Sequence, residues 1–231
     1  MAKINKGALT KLEIVAEATK QFLEKGFTAT TVSAIAKELD MSTGNLTFHY
    51  PTKEHLLAEL TDMLCKYQWK QMEKEADDGI SSILALCLEL TAMAGACEDD
   101  EIIKDFLLSS YSSRLCLSVI RKNDTARAKS VFSAYRPDWT DEQFVEAEIL
   151  VSGIEFATLM TAGDPVTFET RIKGAIKYIL GIYGVPEDVC ETKIKKVFAM
   201  DYRNIGKKVI SDFKNYVAES NEQAFRDILR I

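Results

Sequence analysis

Histidine is almost missing from this chain. Two occur in 231 residues, His49 and His55, so no Ser-His-Asp arrangement can form downstream of position 55. The two are six apart and share no helix face, which leaves no metal pair. Neither G-x-G-x-x-G nor a phosphate-loop pattern occurs. The five cysteines (65, 87, 97, 116 and 190) are odd in number, form no C-x-x-C, and sit in helical-looking apolar contexts. They fit buried thiols in a reducing cytoplasm better than a disulfide framework. No signal peptide and no apolar run of transmembrane length appear, so a cytoplasmic protein without a membrane partner is expected. Acidic pairs such as Asp77-Asp78 and Asp99-Asp100 read as helix punctuation, not as general acid–base machinery. These absences predict no enzyme, no catalytic residues, no cofactor and no metal.

Positive charge is also scarce where it would be informative. Arginine is absent from residues 1–55, which hold seven lysines against six acids, a net of +1. The formal charge of the chain is −6, so the other 176 residues carry −7. The first segment is thus relatively basic, and the remainder would repel a polyanion. With 47% hydrophobic and 28% charged residues, the composition is that of an ordinary globular chain.

The most informative stretch runs from Thr30 to Pro51. Val32, Ile35, Ala36 and Leu39 fall at i, i+3, i+4 and i+7, which gives a short helix one apolar face. Thr30 or Thr31 can cap it. Asp40-Met41-Ser42 breaks the period, and Met41 can plug the gap. Ser42 is the natural N-cap of a second helix, which Pro51 stops after about two turns. Two short helices joined by a tight turn predict a helix-turn-helix, whose second helix can enter a DNA major groove. At 100° per residue, a core-facing Leu46 brings Tyr50 to the same side and turns Gly44 and Phe48 outward, with Asn45 and Thr47 beside them. An outward helical glycine costs about 1 kcal/mol against alanine. An outward phenylalanine is equally odd on a free surface, and both are explained by a partner that comes close.

Residues from about Leu12 to Leu57 resemble the DNA-binding region of the TetR family of bacterial transcriptional regulators. The resemblance rests on Lys25-Gly26-Phe27, Thr30-Thr31-Val32, Ile35-Ala36, Ser42, Gly44-Asn45-Leu46, His49-Tyr50, Lys53-Glu54 and Leu56. Three positions depart from the family pattern. Asp40 replaces the turn glycine, Thr47 replaces a tyrosine, and Ser33 stands where a basic residue is common. The resemblance implies an all-α protein with an N-terminal three-helix helix-turn-helix domain. A long helix would join it to a larger helical-bundle domain for ligand binding and dimerisation. It further implies a ligand-responsive repressor that binds double-stranded DNA as a homodimer on a palindromic operator. The rival is a helical ligand-binding or protein-interaction dimer with a degenerate DNA-binding end, motivated by the missing arginines and by Thr47.

The expected domains are residues 1–52 for DNA binding, 53–184 for ligand binding and dimerisation, and 185–231 as a helical extension on the second domain. The DNA-binding candidates are Thr30, Thr31, Ser42, Thr43, Gly44, Asn45, Thr47, Phe48, His49 and Lys53. Lys53 begins a helix, where the dipole disfavours a cation but helix-start amides and an ammonium would converge on a phosphate. Further helices are predicted from about 53 to 76, 80 to 97, Asp100 to Arg121, Asp124 to Tyr135, Thr140 to Ala162 and Val166 to Tyr183. A turn is expected at Gly163-Asp164-Pro165, and a last helix capped by Ser220 with Gln223. Inward faces of the middle helices give the pocket candidates Leu64, Gln68, Leu90, Met93, Phe106, Ser110, Arg114, Phe156 and Met160 for a small-molecule effector. Gly153, Gly174, Tyr178 and Gly181 mark a second close-packing surface, read as the dimer interface.

Overall fold

The computed structural model describes residues 6–77, 82–161 and 165–229, and every regular element among them is an α-helix. The arm before residue 6, the start of the helix expected from Ile80, Ala162 and the Gly163-Asp164 turn lie outside the described residues.

Helix α1 (Lys6–Lys25) buries Ile14, Val15, Ala18 and Phe22 on one stripe. Gly26 ends it at φ +89°, a left-handed conformation that glycine adopts without strain. Helices α2 (Val32–Glu38) and α3 (Thr43–His49) cross it, and Ile35, Ala36, Leu46 and Tyr50 close a small core with α1. Helix α4 (Lys53–Ala76) has 24 residues and is about 36 Å long at 1.5 Å per residue. It starts beside this bundle and runs into the larger one.

The second bundle is built around α5 (Ile83–Asp99), which contacts α4, α6, α8, α9, α10 and α11. Its near-uniform apolarity follows from having neighbours on every side, and each of its buried leucines contributes about 1.5–3 kcal/mol of burial free energy. The next pair differs from expectation. Instead of one helix ending near Arg121, α6 (Glu101–Ser112) stops early and α7 (Arg114–Phe132) runs through the Lys122-Asn123-Asp124 segment. Ser113 is the N-cap that divides them, its Oγ accepting from the Cys116 amide at 3.5 Å. The polar triplet stays helical because its side chains have partners: Asn123 Nδ2 donates to Val119 O and to Asp62, and Asp124 pairs with Arg127.

Helix α8 (Asp141–Met160) opens with a capping box between Thr140 and Gln143, and α9 (Phe168–Ile182) packs beside it. Helix α10 (Glu187–Phe198) is followed by α11 (Tyr202–Leu229), which passes through Ser220 without a break. The expected capping box there does not form, since Gln223 Nε2 donates to Asp227 instead. Nor is the C-terminal segment confined to the second bundle. Helix α11 packs on α5 and α4 and also along α1, where Lys214 pairs with Glu24 and Asn221 Nδ2 donates to Leu12 O at 3.1 Å.

Candidate functional site

The helix-turn-helix is held by its caps. Thr31, not Thr30, caps α2 by accepting from the Ala34 amide at 3.1 Å. Thr30 is buried and donates its hydroxyl to Gly26 O and Gln21 O, so it ties the turn to α1 and is out of reach of a ligand. After Leu39 the chain closes a Schellman turn: the Asp40 amide donates to Lys37 O and the Met41 amide to Ala36 O. Asp40 sits there at φ 50°, the left-handed conformation that explains why a glycine is usual at this position. Ser42 Oγ accepts from the Asn45 amide at 3.1 Å and starts α3.

On α3, Leu46 and Tyr50 are buried, while Thr43, Gly44, Asn45 and Phe48 are exposed. Phe48 is 83% exposed, the most open large apolar side chain among the described residues. The His49 ring meets it edge-on at 5.3 Å between centroids, and Thr47 donates its hydroxyl to Gly44 O. Lys53 is placed otherwise than a free phosphate ligand. Its ammonium donates to Phe27 O at 2.7 Å and Thr30 O at 2.8 Å and lies 4.0 Å over the Phe27 ring. Partial burial lowers its pKa. Two of its three donors thus hold the α1–α2 loop, and one remains for an anion.

The same loop is held from the second bundle. Asp105 on α6 accepts from the Thr28 amide at 2.8 Å and from the Thr28 hydroxyl. Residue spacing gave no sign of this contact, because it joins positions far apart in sequence.

A cavity of about 60 Å³ lies between α4, α5, α6, α7 and α8. Of the pocket candidates, Leu64, Gln68, Leu90, Met93 and Ser110 line it. Phe106 is fully buried core outside the cavity, Phe156 stacks on the far side of Tyr111, and Arg114 and Met160 face outward. Arg114 was misplaced because the α6–α7 break restarts the helical phase at Ser113. Met160 faces outward because the inward stripe of α8 runs through the buried Phe144, Glu148, Val151 and Leu159 and the half-buried Glu155.

The cavity is acidic. Arg127 pairs with Glu89 and Asp124, each at 2.6 Å, and stacks over Trp69. Burial opposes its charge, but the two carboxylates outweigh burial and keep it protonated. Gln68 Nε2 donates to the other Glu89 oxygen at 2.9 Å. Glu148 accepts from the Tyr183 hydroxyl and Glu155 from the Tyr111 hydroxyl. Burial pushes the Glu148 carboxyl up to about 8, with Asp124 adding to the rise. Burial, then Asp124, raises Glu155 well above the carboxylate range. The sequence did carry a signal for this site, since glutamates occupy two positions of an otherwise apolar α8 stripe.

The outer faces of α8 and α9 meet at a different surface. Val145, Ile149, Leu150 and Met160 on α8 are half or more exposed, and Tyr178 on α9 is 72% exposed. At Gly153, Gly174 and Gly181 a Cβ would stand in open space among the described residues, which do not account for the lack of a side chain.

A short three-helix unit whose last two helices are capped and joined by a tight turn, with the outer face of α3 exposed, is a helix-turn-helix. Residues 14–60 match the model of the bacterial regulatory proteins, tetR family. Among solved structures, the Thermus thermophilus FadR, a TetR-family transcriptional repressor in complex with lauroyl-CoA, shares the fold. Its TM-score is 0.56 at 17% identity, covering 73% of this chain and 92% of that one. Full-length TylP, a TetR regulator from Streptomyces fradiae, matches with a TM-score of 0.46 at 16% identity, covering 90% of this chain and 99% of its own. A tetR-family regulatory protein from Rhodococcus RHA1 matches with a TM-score of 0.40 at 22% identity, covering 78% and 97%. No curated protein sequence matches the chain. Among the described residues no helix is long and apolar enough to cross a membrane, and no cluster of His, Cys, Asp and Glu could hold a metal ion.

Proposed function

We propose that the chain is a ligand-responsive transcriptional repressor of the cytoplasm, which binds a near-palindromic operator as a homodimer. The observation that carries this is the outer face of α3. Gly44, Asn45 and Phe48 stand clear of the protein, on a helix whose inner face is locked by Leu46 and Tyr50. Glycine admits close approach, the Asn45 amide can pair with a base edge, and Phe48 offers apolar contact to a thymine methyl. Thr31, Ser42, Thr43, Thr47, His49 and the free donor of Lys53 flank this face and would position it on phosphates. A second copy of the chain, seated on the α8–α9 face, covers the exposed aliphatics and uses the three open glycines for close helix approach.

The route from cavity to DNA runs through two elements. Helix α4 lines the cavity with Thr61, Leu64 and Gln68 and pins the α1–α2 loop with Lys53. Helix α6 lines it with Leu107, Ser110 and Tyr111 and holds the same loop through Asp105. A ligand that shifts either helix is thereby coupled to DNA affinity, and linkage makes the coupling reciprocal.

Selection of bound fragments from random genomic DNA tests the reading. Wild type should enrich near-palindromes with half-sites one helical turn apart or a multiple of it. Asn45→Ala should bind an enriched site about 1–3 kcal/mol more weakly while keeping its non-specific affinity. Retention of no fragment above background would favour the rival, a ligand-binding dimer whose DNA-binding end has decayed.

A further inference from the structure

The cavity is lined by four carboxylates, Glu89, Asp124, Glu148 and Glu155, against one guanidinium, Arg127. Glu89 and Asp124 already share Arg127. That leaves Glu148 and Glu155, each accepting from a tyrosine hydroxyl and, among the described residues, with no ion pair. Glu148 is 1% exposed, and its second oxygen, Oε2, has no hydrogen-bond partner among the described residues. A buried carboxyl oxygen without a partner is destabilising, the more so if it is ionised. The rest of the lining is aliphatic or aromatic, with Leu86, Leu90, Met93 and Leu159 around Trp69 and Tyr111.

We infer that this cavity binds a small lipophilic monocation, an alkyl- or arylalkylammonium, whose nitrogen seats on Glu148 Oε2. The inference rests on the regulator reading only for its biological use, since the chemistry of the site stands without DNA. The ammonium supplies the donor that Oε2 lacks and the charge that offsets the acid excess. Its apolar body replaces water against the aliphatic wall, at about 25 cal/mol per Å². A carboxylate or phosphate ligand would meet four acids and one arginine, while a neutral alcohol could satisfy Oε2 but not the charge. The cavity is smaller than a drug-sized molecule requires, so the ligand is compact or parts the helices as it enters.

Seating a cation requires Glu148 to ionise. Its surroundings raise its pKa in the free protein, so binding releases a proton near neutral pH. The groups that face Glu148 and Glu155 are Glu89 on α5, Tyr111 on α6, Arg121, Asp124 and Arg127 on α7, and Tyr183 beyond α9, with Cys65 of α4 also in the cavity lining. Arg121 is occupied with Ser152, its Nε donating to Oγ at 2.9 Å.

Calorimetry with n-hexylammonium, 1-hexanol and hexanoate, matched in length, tests the inference. The ammonium should bind at least tenfold more tightly than the alcohol, with hexanoate weakest. In two buffers of different ionisation enthalpy it should release close to one proton at pH 7. Its affinity should rise nearly tenfold per pH unit below about pH 8 and level off above. Glu148→Gln keeps an acceptor for Tyr183 and should erase both the preference and the proton release; Glu155→Gln serves as the second variant should the first lose its fold. Equal binding of ammonium and alcohol, tighter binding of hexanoate or lauroyl-CoA, no binding of any probe, or a preference that survives both substitutions would each overturn the inference. Operator binding assayed on the same samples separates the two readings. Ammonium binding without any DNA binding keeps the cavity chemistry and removes the regulator, and the converse does the reverse.

Discussion

Phe48 costs the free protein exposed apolar surface, and its ring meets His49 edge-on. Truncating it therefore leaves the fold alone, and Phe48→Ala should melt within a degree or two of wild type. If Phe48 reads a thymine methyl, replacing that thymine with uracil should weaken wild type and leave Phe48→Ala unchanged. Equal responses of the two proteins at every half-site position would remove Phe48 from base reading. Lys53 shows the opposite case. Its position at a helix start suggested an anion ligand, but two carbonyls and an aromatic face claim its ammonium first. Only the folded loop, which turns Phe27 O and Thr30 O toward one point, could reveal that.

Two kinds of helical glycine look alike in sequence and differ in structure. A Cβ on Gly206 of α11 would stand 2.3 Å from Ala92 O of α5, where the two backbones cross. A Cβ on Gly181 of α9 would meet nothing within 4 Å. Gly206→Ala should therefore destabilise by about 1–3 kcal/mol through overpacking, read as a lowered denaturant midpoint. Gly181→Ala should leave the monomer fold unchanged, and Gly181→Arg should place bulk and charge in the proposed dimer interface. Light scattering should then report monomers at concentrations where wild type is dimeric. A Gly181→Arg protein that stays dimeric would move the interface elsewhere, to a surface that does not include α9.

The buried acids give the whole molecule a pH dependence of unusual sign. Glu148 titrates near 8 in the folded protein against an ordinary 4.5. Between those values the native state holds a proton that the unfolded state has lost, so stability falls as pH rises, by about 1.4 kcal/mol per pH unit for one such group. Below about 4.5 both states are protonated, and above about 8 the penalty is complete and constant. Glu148→Gln should remove its share of the fall and leave that of Glu155, so that its melting temperature exceeds that of wild type at pH 8 and approaches it near pH 5. A wild-type melting temperature that holds level from pH 5 to pH 8 would show that Glu148 is ionised in the fold. All of the net negative charge lies outside residues 1–55. In the proposed complex an operator would be held by a weakly basic end and repelled by the rest, which predicts few phosphate contacts and a shallow salt dependence of DNA affinity.

The helix-turn-helix was readable from residue order because it is local. Its caps (Thr31 and Ser42), its apolar period and its stop at Pro51 act within a few residues of one another, and helical geometry alone then turns Phe48 outward. The length of α4 and the apolarity of α5 were legible for the same reason. What residue order left open depends on which helices become neighbours. The α6–α7 break moved to Ser113 because the polar triplet after Arg121 found partners across the bundle. Helix α11 ran through a local capping signal because α1, α4 and α5 supply a longer surface to pack on than one capped turn repays. The ties from Asp105 and Lys53 to the α1–α2 loop, and the meeting of Glu148 with Tyr183 and of Glu89 with Arg127, join residues that no spacing rule connects. Local propensity chose the elements, while burial of charge and close backbone crossing, which exist only once the helices are assembled, decided the chemistry of the cavity.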